Sequence, residues 1–454
     1  IVNAGALTKT GTGTLTLSGA STHTGGTTVS QGTLIIDGSH TAAIHVQSGT
    51  LGGHGTLGAI DVTSGSVSPG THGPAMLTAT KDLMLPTTVT GSWPRPRWYN
   101  GGLYERPYST GLGDVDFREQ HLDAVATVIS DQELAGLDIL TNGDYHLDAD
   151  LAGRSWFSYP SERLSGVSEF DTETTAGWTY PIGTWLNEIV GGWKYHAIVD
   201  KVGPRIPLEF AKVWRVAQSR TEKPVKFGTI AADLCSTVLT IKTDVYDDDK
   251  RELMWDIATV LNGELRQLVA SGCQVVQIEE PAIHSAAAWG ADEATLDFFV
   301  DLFNYTVEGL DAEIWVHTCW GNPGAQHCFQ PSITYEASLD IFLDRINADV
   351  WTIESKHNGH SLLPRFGPHK GKLNKKIAVG MISHRALQVE TVDELAADIR
   401  TALEYIEPQD LVLSSDCGFG RQGVSRPIAL YKAAALAQAA NVVREELGFP
   451  TTQV

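Results

Sequence analysis

The first 75 residues contain no Phe, Tyr or Trp, one basic residue (Lys9) and two acidic ones (Asp37 and Asp61). A stretch so poor in charge and in rings offers nothing that looks catalytic. Cysteine is scarce throughout: five in 454 residues do not make a disulfide framework, and suit reduced thiols or a metal site better. Basic residues number 33 against 54 acidic, a formal net charge of −21 at pH 7, which argues against nucleic-acid binding through a general positive field. No uninterrupted apolar run approaches the roughly 20 residues needed to span a bilayer, so no membrane-spanning segment is expected. No charged stretch followed by an apolar one stands at the start of the sequence, so no signal peptide is expected in it. With 42% apolar and 19% charged residues the chain can bury a large core, which excludes a mostly disordered protein.

Two parts of different composition are present, and a chain this long suggests two to three domains. Residues 1–75 hold 16 Gly and 15 Thr. Ser68-Pro69-Gly70 and Gly73-Pro74 mark a boundary, so domains are expected at 1–75 and 76–454. The first part repeats itself: Gly13-Thr14-Leu15-Thr16-Leu17-Ser18-Gly19 returns loosely as Gly32-Thr33-Leu34-Ile35-Ile36-Asp37-Gly38. Alternating strands with Gly corners, repeating at about 20 residues, predict about three coils of a β-solenoid, each burying its face on the next. Leu7 to Gly19, followed by Thr24-Gly25-Gly26-Thr27-Thr28-Val29, resembles the repeat of bacterial autotransporter passenger regions. That resemblance implies a structural spacer on a secreted or surface protein; a fusion is the plain alternative.

From about Leu77 strands and helices alternate. Apolar strands are expected at Thr87–Gly91, Leu137–Leu140, Val225–Ile230, Gln274–Glu279, Glu313–His317, Val350–Glu354, Ile377–Ile382 and Leu411–Ser415. Helical patterns follow most of them, as at Arg251–Val269, Ala294–Val307, Thr391–Ile406 and Pro427–Leu447. Eight such units predict an α/β fold, a (β/α)8 TIM barrel preceded by the short β-solenoid-like segment. The stretch Ser155–Arg220 does not fit the repeat and reads as an excursion. An open doubly wound sheet is the alternative.

Reactive residues gather at the strand ends. His317 and Cys319 stand two apart, on one face of a strand. Glu354, His384 and Cys417 end the next three strands. In a barrel these ends meet on one face, and two thiolates, an imidazole and a carboxylate suit tetrahedral Zn2+. Cys235 and Cys273 read as packed apolar groups; His327 and Cys328 are spare ligands at most, and His284 is as well read as a loop histidine as a ligand. A zinc site with two thiolates suits alkyl transfer to a small thiol held as thiolate, with a nearby acid serving the leaving group. His384 is the best placed acid, against the plainer reading of a structural hydrogen bond.

These motifs resemble the C-terminal catalytic domain of cobalamin-independent methionine synthase, over Leu83 to Leu447. Leu85-Pro86-Thr87-Thr88-Val89-Thr90-Gly91-Ser92 looks like its opening strand, and Gln277-Ile278-Glu279-Glu280-Pro281-Ala282 like the strand whose acid binds the amino acid. The resemblance implies homocysteine contacts from Gly91, Ser92, Asp144 and Glu279, zinc ligation by His317, Cys319, Glu354 and Cys417, and proton donation by His384. It also implies a cytoplasmic barrel whose partners are a small thiol and an alkyl donor. The departures are the missing homologous N-terminal half, the absence of a folate-stacking Trp near Ala232–Ser236, and Ser285 where a folate-contacting Glu is expected. They argue against folate as donor. Trp93-Pro94-Arg95-Pro96-Arg97-Trp98-Tyr99 resembles epoxyalkane:coenzyme M transferase, which implies that Arg97 or Arg95 meets an anionic substrate group; an arginine stacked on Trp98 is the plain alternative. Two readings of another kind stay open: a secreted solenoid protein with an inert barrel, and a zinc-binding module without turnover.

Overall fold

The computed structural model describes residues 4–17, 21–36, 39–40, 42–53, 56–57, 60–63, 66–69, 80, 83–147, 158–169, 196–237, 239–319, 334–420 and 424–452. The chain divides into two compact units, Ile1–Leu77 and Thr78–Val454.

In the first unit, Leu7–Lys9, Thr27–Val29, Ile44–Val46 and Ile60–Val62 stack as one parallel sheet, and Thr14–Leu17, Thr33–Ile36, Thr50–Gly53 and Ser66–Pro69 as a second. Each sheet thus carries four rungs where about three coils were expected. Residues alternate across each strand, so Val29, Leu34, Ile36, Ile44, Val46 and Leu51 meet in one apolar core. The unit's single lysine is used inside the stack. Lys9 Nζ donates to the carbonyls of Thr10 (3.1 Å), Gly11 (2.6 Å) and Gln31 (3.1 Å), tying the first coil to the second.

The second unit is an α/β barrel. Its parallel strands are Leu140–Thr141 (β1), Val225–Ile230 (β2), Val275–Glu279 (β3), Glu313–Thr318 (β4), Val350–Ile353 (β5), Lys376–Ile382 (β6) and Leu411–Ser415 (β7), hydrogen-bonded in that order. The expected first strand, Thr87–Gly91, is reduced to the single parallel bridge Thr87–Leu413. It still closes the ring. Leu413 N–H donates to the Pro86 carbonyl (2.8 Å) and Thr88 N–H to the Leu413 carbonyl (2.9 Å), while Asp138 and Ile139 donate to the Thr87 carbonyl from the other side. Ile139, Val275, Trp315, Val350, Ala378 and Val412 pack as a core cluster on the strands.

The helices follow sequence signals. Asp114, Asp292 and Thr391 cap Val115–Leu134, Glu293–Thr306 and Val392–Leu403 through their side-chain oxygens. Arg251–Ala270 buries Leu253, Ile257, Leu261, Leu265 and Leu268, the stripe expected of a helix packed on a sheet. The excursion contains an antiparallel pair, Leu164–Val167 with Ala197–Pro204, which is joined by Thr240–Ile241. Among the described residues no helix is long and apolar enough to cross a membrane.

Candidate metal centre and thiol pocket

β4 is buried along its whole length, so its alternation puts His317 on one face with Trp315, and Cys319 continues that face just beyond the strand. Cys417 follows the end of β7. The ligand atoms of His317, Cys319 and Cys417 lie within 4.8 Å of one another. Neither ring nitrogen of His317 has a hydrogen-bond partner among the described residues, although the side chain is fully buried. Burial, with the positive charge of Lys226, lowers its pKa to about 3, which makes the ring a neutral nitrogen donor. The Cys417 thiol is pushed well above its ordinary range, first by its hydrogen bond with Cys319 and then by burial. A buried imidazole with no hydrogen bond on either nitrogen among the described residues, beside two thiols, suits a zinc site before the ion arrives.

Glu354 is buried directly beyond β5 but is not part of this three-residue cluster. Its Oε2 accepts from Arg385 Nη2 at 3.2 Å. The same guanidinium donates through Nε to His384 Nε2, also at 3.2 Å. Arg385 therefore joins the expected carboxylate ligand to the expected acid, and the residue's only sequence signal is its place after His384. His284 is not a loop histidine: it lies buried in the helix Ala282–Ala288, and its Nε2 is 2.6 Å from the Cys319 carbonyl. Cys235 and Cys273 are buried, with both thiols pushed up to about 12 by desolvation. His327 and Cys328 lie outside the described residues.

Beside the thiols is a small acidic pocket. Asp144 follows Gly143 in a turn where both residues have positive φ (57° and 71°), a backbone that glycine adopts cheaply. Gly91 faces it, and a Cβ on Gly91 would stand 3.2 Å from Asp144 Oδ2. Glu279 ends β3, with Oε1 accepting from Gln277 Nε2 at 2.5 Å and Oε2 lying 3.5 Å from His317 Nε2. A cavity of about 30 Å³, lined by Asp144, Glu279, Gly228 and Thr229 among others, lies between them; it holds about one water. Desolvation lifts Asp144 to about 7 and Glu279 to about 8. Lys226, on the same face of β2 as Gly228, is fully buried with no hydrogen-bond partner for Nζ among the described residues, and stacks 4.2 Å over the Trp315 ring. A lysine inside an apolar strand was the one sequence clue to it. Ser92 Oγ accepts from Gly420 N–H at 3.1 Å, which places it against the loop that carries Cys417.

Arg97 is exposed and is not drawn into this group. Arg95, half-buried, is the arginine of the pair that lies near Asp144. The Arg95 guanidinium donates to the Tyr145 carbonyl at 3.4 Å and to that of Leu147. It stacks 4.6 Å over Tyr99, and its charge offsets only part of the desolvation that raises Asp144. A larger cavity of about 540 Å³, lined by Glu308, Asp344, Asp349 and Lys375 among others, opens at the opposite end of the strands and holds none of these residues.

Residues 85–441 match the family model described as cobalamin-independent synthase, catalytic domain, and residues 7–36 match the passenger-associated-transport-repeat. The chain is 27% identical to the methionine synthase of Sulfurisphaera tokodaii, covering 80% of this chain and 94% of the relative. It is 28% identical to that of Saccharolobus solfataricus, covering 80% and 96%. Among solved structures, a B12-independent methionine synthase from Shewanella sp. W3-18-1 in complex with selenomethionine aligns with a TM-score of 0.64 at 24% identity, over 80% of this chain and 99% of that one. A putative vitamin-B12 independent methionine synthase from Listeria monocytogenes aligns with a TM-score of 0.52 at 17% identity, over 78% and 96%. With its family model matched from Leu85 to Asn441 on a closed α/β barrel, the chain belongs to the cobalamin-independent synthase catalytic-domain family.

Proposed function

We propose that this protein is a zinc-dependent transferase that places a methyl or alkyl group on the sulfur of a homocysteine-like thiol. The convergence of His317, Cys319 and Cys417 beside an acidic pocket carries the reading. The methionine synthases of Sulfurisphaera tokodaii and Saccharolobus solfataricus, which match nearly end to end, support it. His317, Cys319 and Cys417 would hold the ion, with Glu354 the candidate fourth donor. Bound zinc supplies the Lewis acidity that keeps a substrate thiol deprotonated and nucleophilic at neutral pH.

The other roles belong to the chain's own groups. Asp144 and Glu279 accept the substrate's ammonium, and the Gly91–Ser92 backbone borders the same end. Arg385 Nε–H donates to Nε2 of His384, which orients the ring. His384, in its protonated form, hands a proton to the leaving group as sulfur takes the alkyl carbon, and is reprotonated from solvent. Thiol alkylation assayed before and after dialysis against a chelator tests the whole. Activity is expected to vanish on metal removal and return on adding Zn2+; full activity in zinc-free protein contradicts the reading.

Binding should also depend on pH. A neutral carboxyl cannot pair with an ammonium group, and burial raises Asp144 to about 7 and Glu279 to about 8. Affinity for the amino-acid thiol is therefore expected to rise between about pH 6 and about pH 9, as both groups lose their protons. The zwitterion's ammonium stays charged over most of that range. KM measured across it should fall several-fold, and a flat profile would remove the two carboxylates from the ammonium site.

Arg95 favours a second reading, in which the thiol is coenzyme M and the electrophile an epoxide. Its Nη1 is buried and has no partner among the described residues, and a guanidinium suits a sulfonate. Two buried carboxylates suit that anion poorly. Titrating the zinc-loaded protein with homocysteine and with coenzyme M separates the two.

A further inference from the structure

β6 lies between β5 and β7 in the barrel sheet, so the strand ends bearing Glu354 and Cys417 are not neighbours. One side chain nevertheless joins them. Asp416, fully buried, immediately precedes Cys417. Its Oδ1 accepts from the backbone N–H of Ser355 (2.7 Å) and of Lys356 (2.8 Å), and its Oδ2 from that of His357 (2.8 Å). These donors open the short 3-10 turn Lys356–Asn358, whose N-cap Ser355 follows Glu354. The first N–H groups of such a turn have no partner inside it.

To reach them the carboxylate must cross β6, and β6 is built to let it pass. A Cβ at Gly380 would stand 2.7 Å from the Asp416 Cα and closer still to Oδ1. The register between β6 and β7 slips at this place, between Gly380 and Ile382. Asp416 also donates its own N–H to the Ile382 carbonyl at 3.0 Å. One residue is thus bonded to β6 and to the turn beyond β5 while its chain neighbour is a metal-ligand candidate.

We propose that Asp416 is a positioning residue of the metal centre: passing over Gly380, it clamps the turn after Glu354 to the strand end that carries Cys417, and so fixes the spacing of two donors from non-adjacent strands. The inference rests on the metal reading above. Three N–H hydrogen bonds to one carboxylate in a buried setting hold a loop more firmly than packing alone. Removing groups that orient metal ligands from behind typically weakens binding about 10–100-fold.

The test uses full-length protein with zinc alone as probe. Asp416→Asn, Asp416→Ala and Gly380→Ala are compared with the unaltered chain by zinc competition against a chromophoric chelator. Absorption of the cobalt(II)-loaded protein is followed in parallel, because its sulfur-to-metal band reports both thiolates. Asp416→Asn keeps the shape and one acceptor oxygen, so it is the variant expected to fold if Asp416→Ala does not. Zinc affinity is expected to drop at least about tenfold in Asp416→Asn and in Gly380→Ala, with an altered cobalt band and unchanged circular dichroism of the apo protein. Folded variants with the original affinity and the original band overturn the clamp and leave the metal reading standing. An unaltered chain that takes up no zinc overturns both.

Discussion

Cys417→Ser is expected to lose zinc and turnover together. The thiol lies within 4.8 Å of the donor atoms of His317 and Cys319, and serine presents a harder, poorly ionised oxygen in its place. The loss in zinc affinity should exceed the roughly 10–100-fold that follows from removing a group behind the ligands. Fold should survive, because Cys417 lies beyond the end of β7 and not within its ladder. Metal content by mass spectrometry under native conditions, with thiol alkylation on the same sample, makes the check. Full zinc occupancy in the variant would remove Cys417 from the centre, and full turnover without zinc would remove the metal from the chemistry.

Asp138→Ala is expected to cost about 3–5 kcal/mol of stability, the usual penalty for stripping one partner from a buried ion pair. Asp138 Oδ2 accepts from Arg444 Nη2 at 2.7 Å, from Thr87 N–H at 2.8 Å and from Thr87 Oγ1 at 2.9 Å. Arg444, 1% exposed, also donates to the carbonyls of Met84 and Leu85 at 2.9 Å. Loss of the carboxylate leaves a guanidinium buried without its counter-charge, at the seam where residues 86–88 close the ring. The same segment leads to Gly91 and Ser92, so thiol binding should weaken as well. Denaturant unfolding with an unchanged m-value measures the loss. A change under about 1 kcal/mol would mean that Arg444 is satisfied without Asp138.

Most of the barrel could be read from the chain because its strands are short, predominantly apolar segments. The bounds expected for Val225–Ile230 and Leu411–Ser415 are the bounds they have in the structure. The opening strand could not be delimited in this way. Pro86 lacks an N–H, Leu85 takes a positive φ of 52°, and the partners of residues 86–88 come from Leu413 and from Asp138 and Ile139, all remote in sequence. The pair Leu164–Val167 and Ala197–Pro204 was hidden for a related reason. Its second strand has an exposed, charged middle and no apolar run to announce it.

At the site, alternation along a strand was enough to bring His317 and Cys319 together, and barrel topology to bring Cys417 to them. What decides between Arg95 and Arg97 is not local. The carbonyls of Tyr145 and Leu147, some fifty residues on, draw in the first arginine and leave the second to solvent. The Arg385 bridge between Glu354 and His384 depends equally on where two strand ends fall in space. So does the crossing of Asp416 over Gly380, which no spacing in the sequence announces.

His317, Cys319 and Cys417 should share one ion able to take a sulfur ligand, and X-ray absorption at the zinc edge of the purified chain reads that ion's neighbours. One zinc per chain is expected, with two protein sulfur neighbours at about 2.3 Å, nitrogen or oxygen at about 2.0–2.1 Å, and a third sulfur when homocysteine is added. A zinc shell made only of nitrogen and oxygen, or one in which added thiol brings no new sulfur, would contradict it.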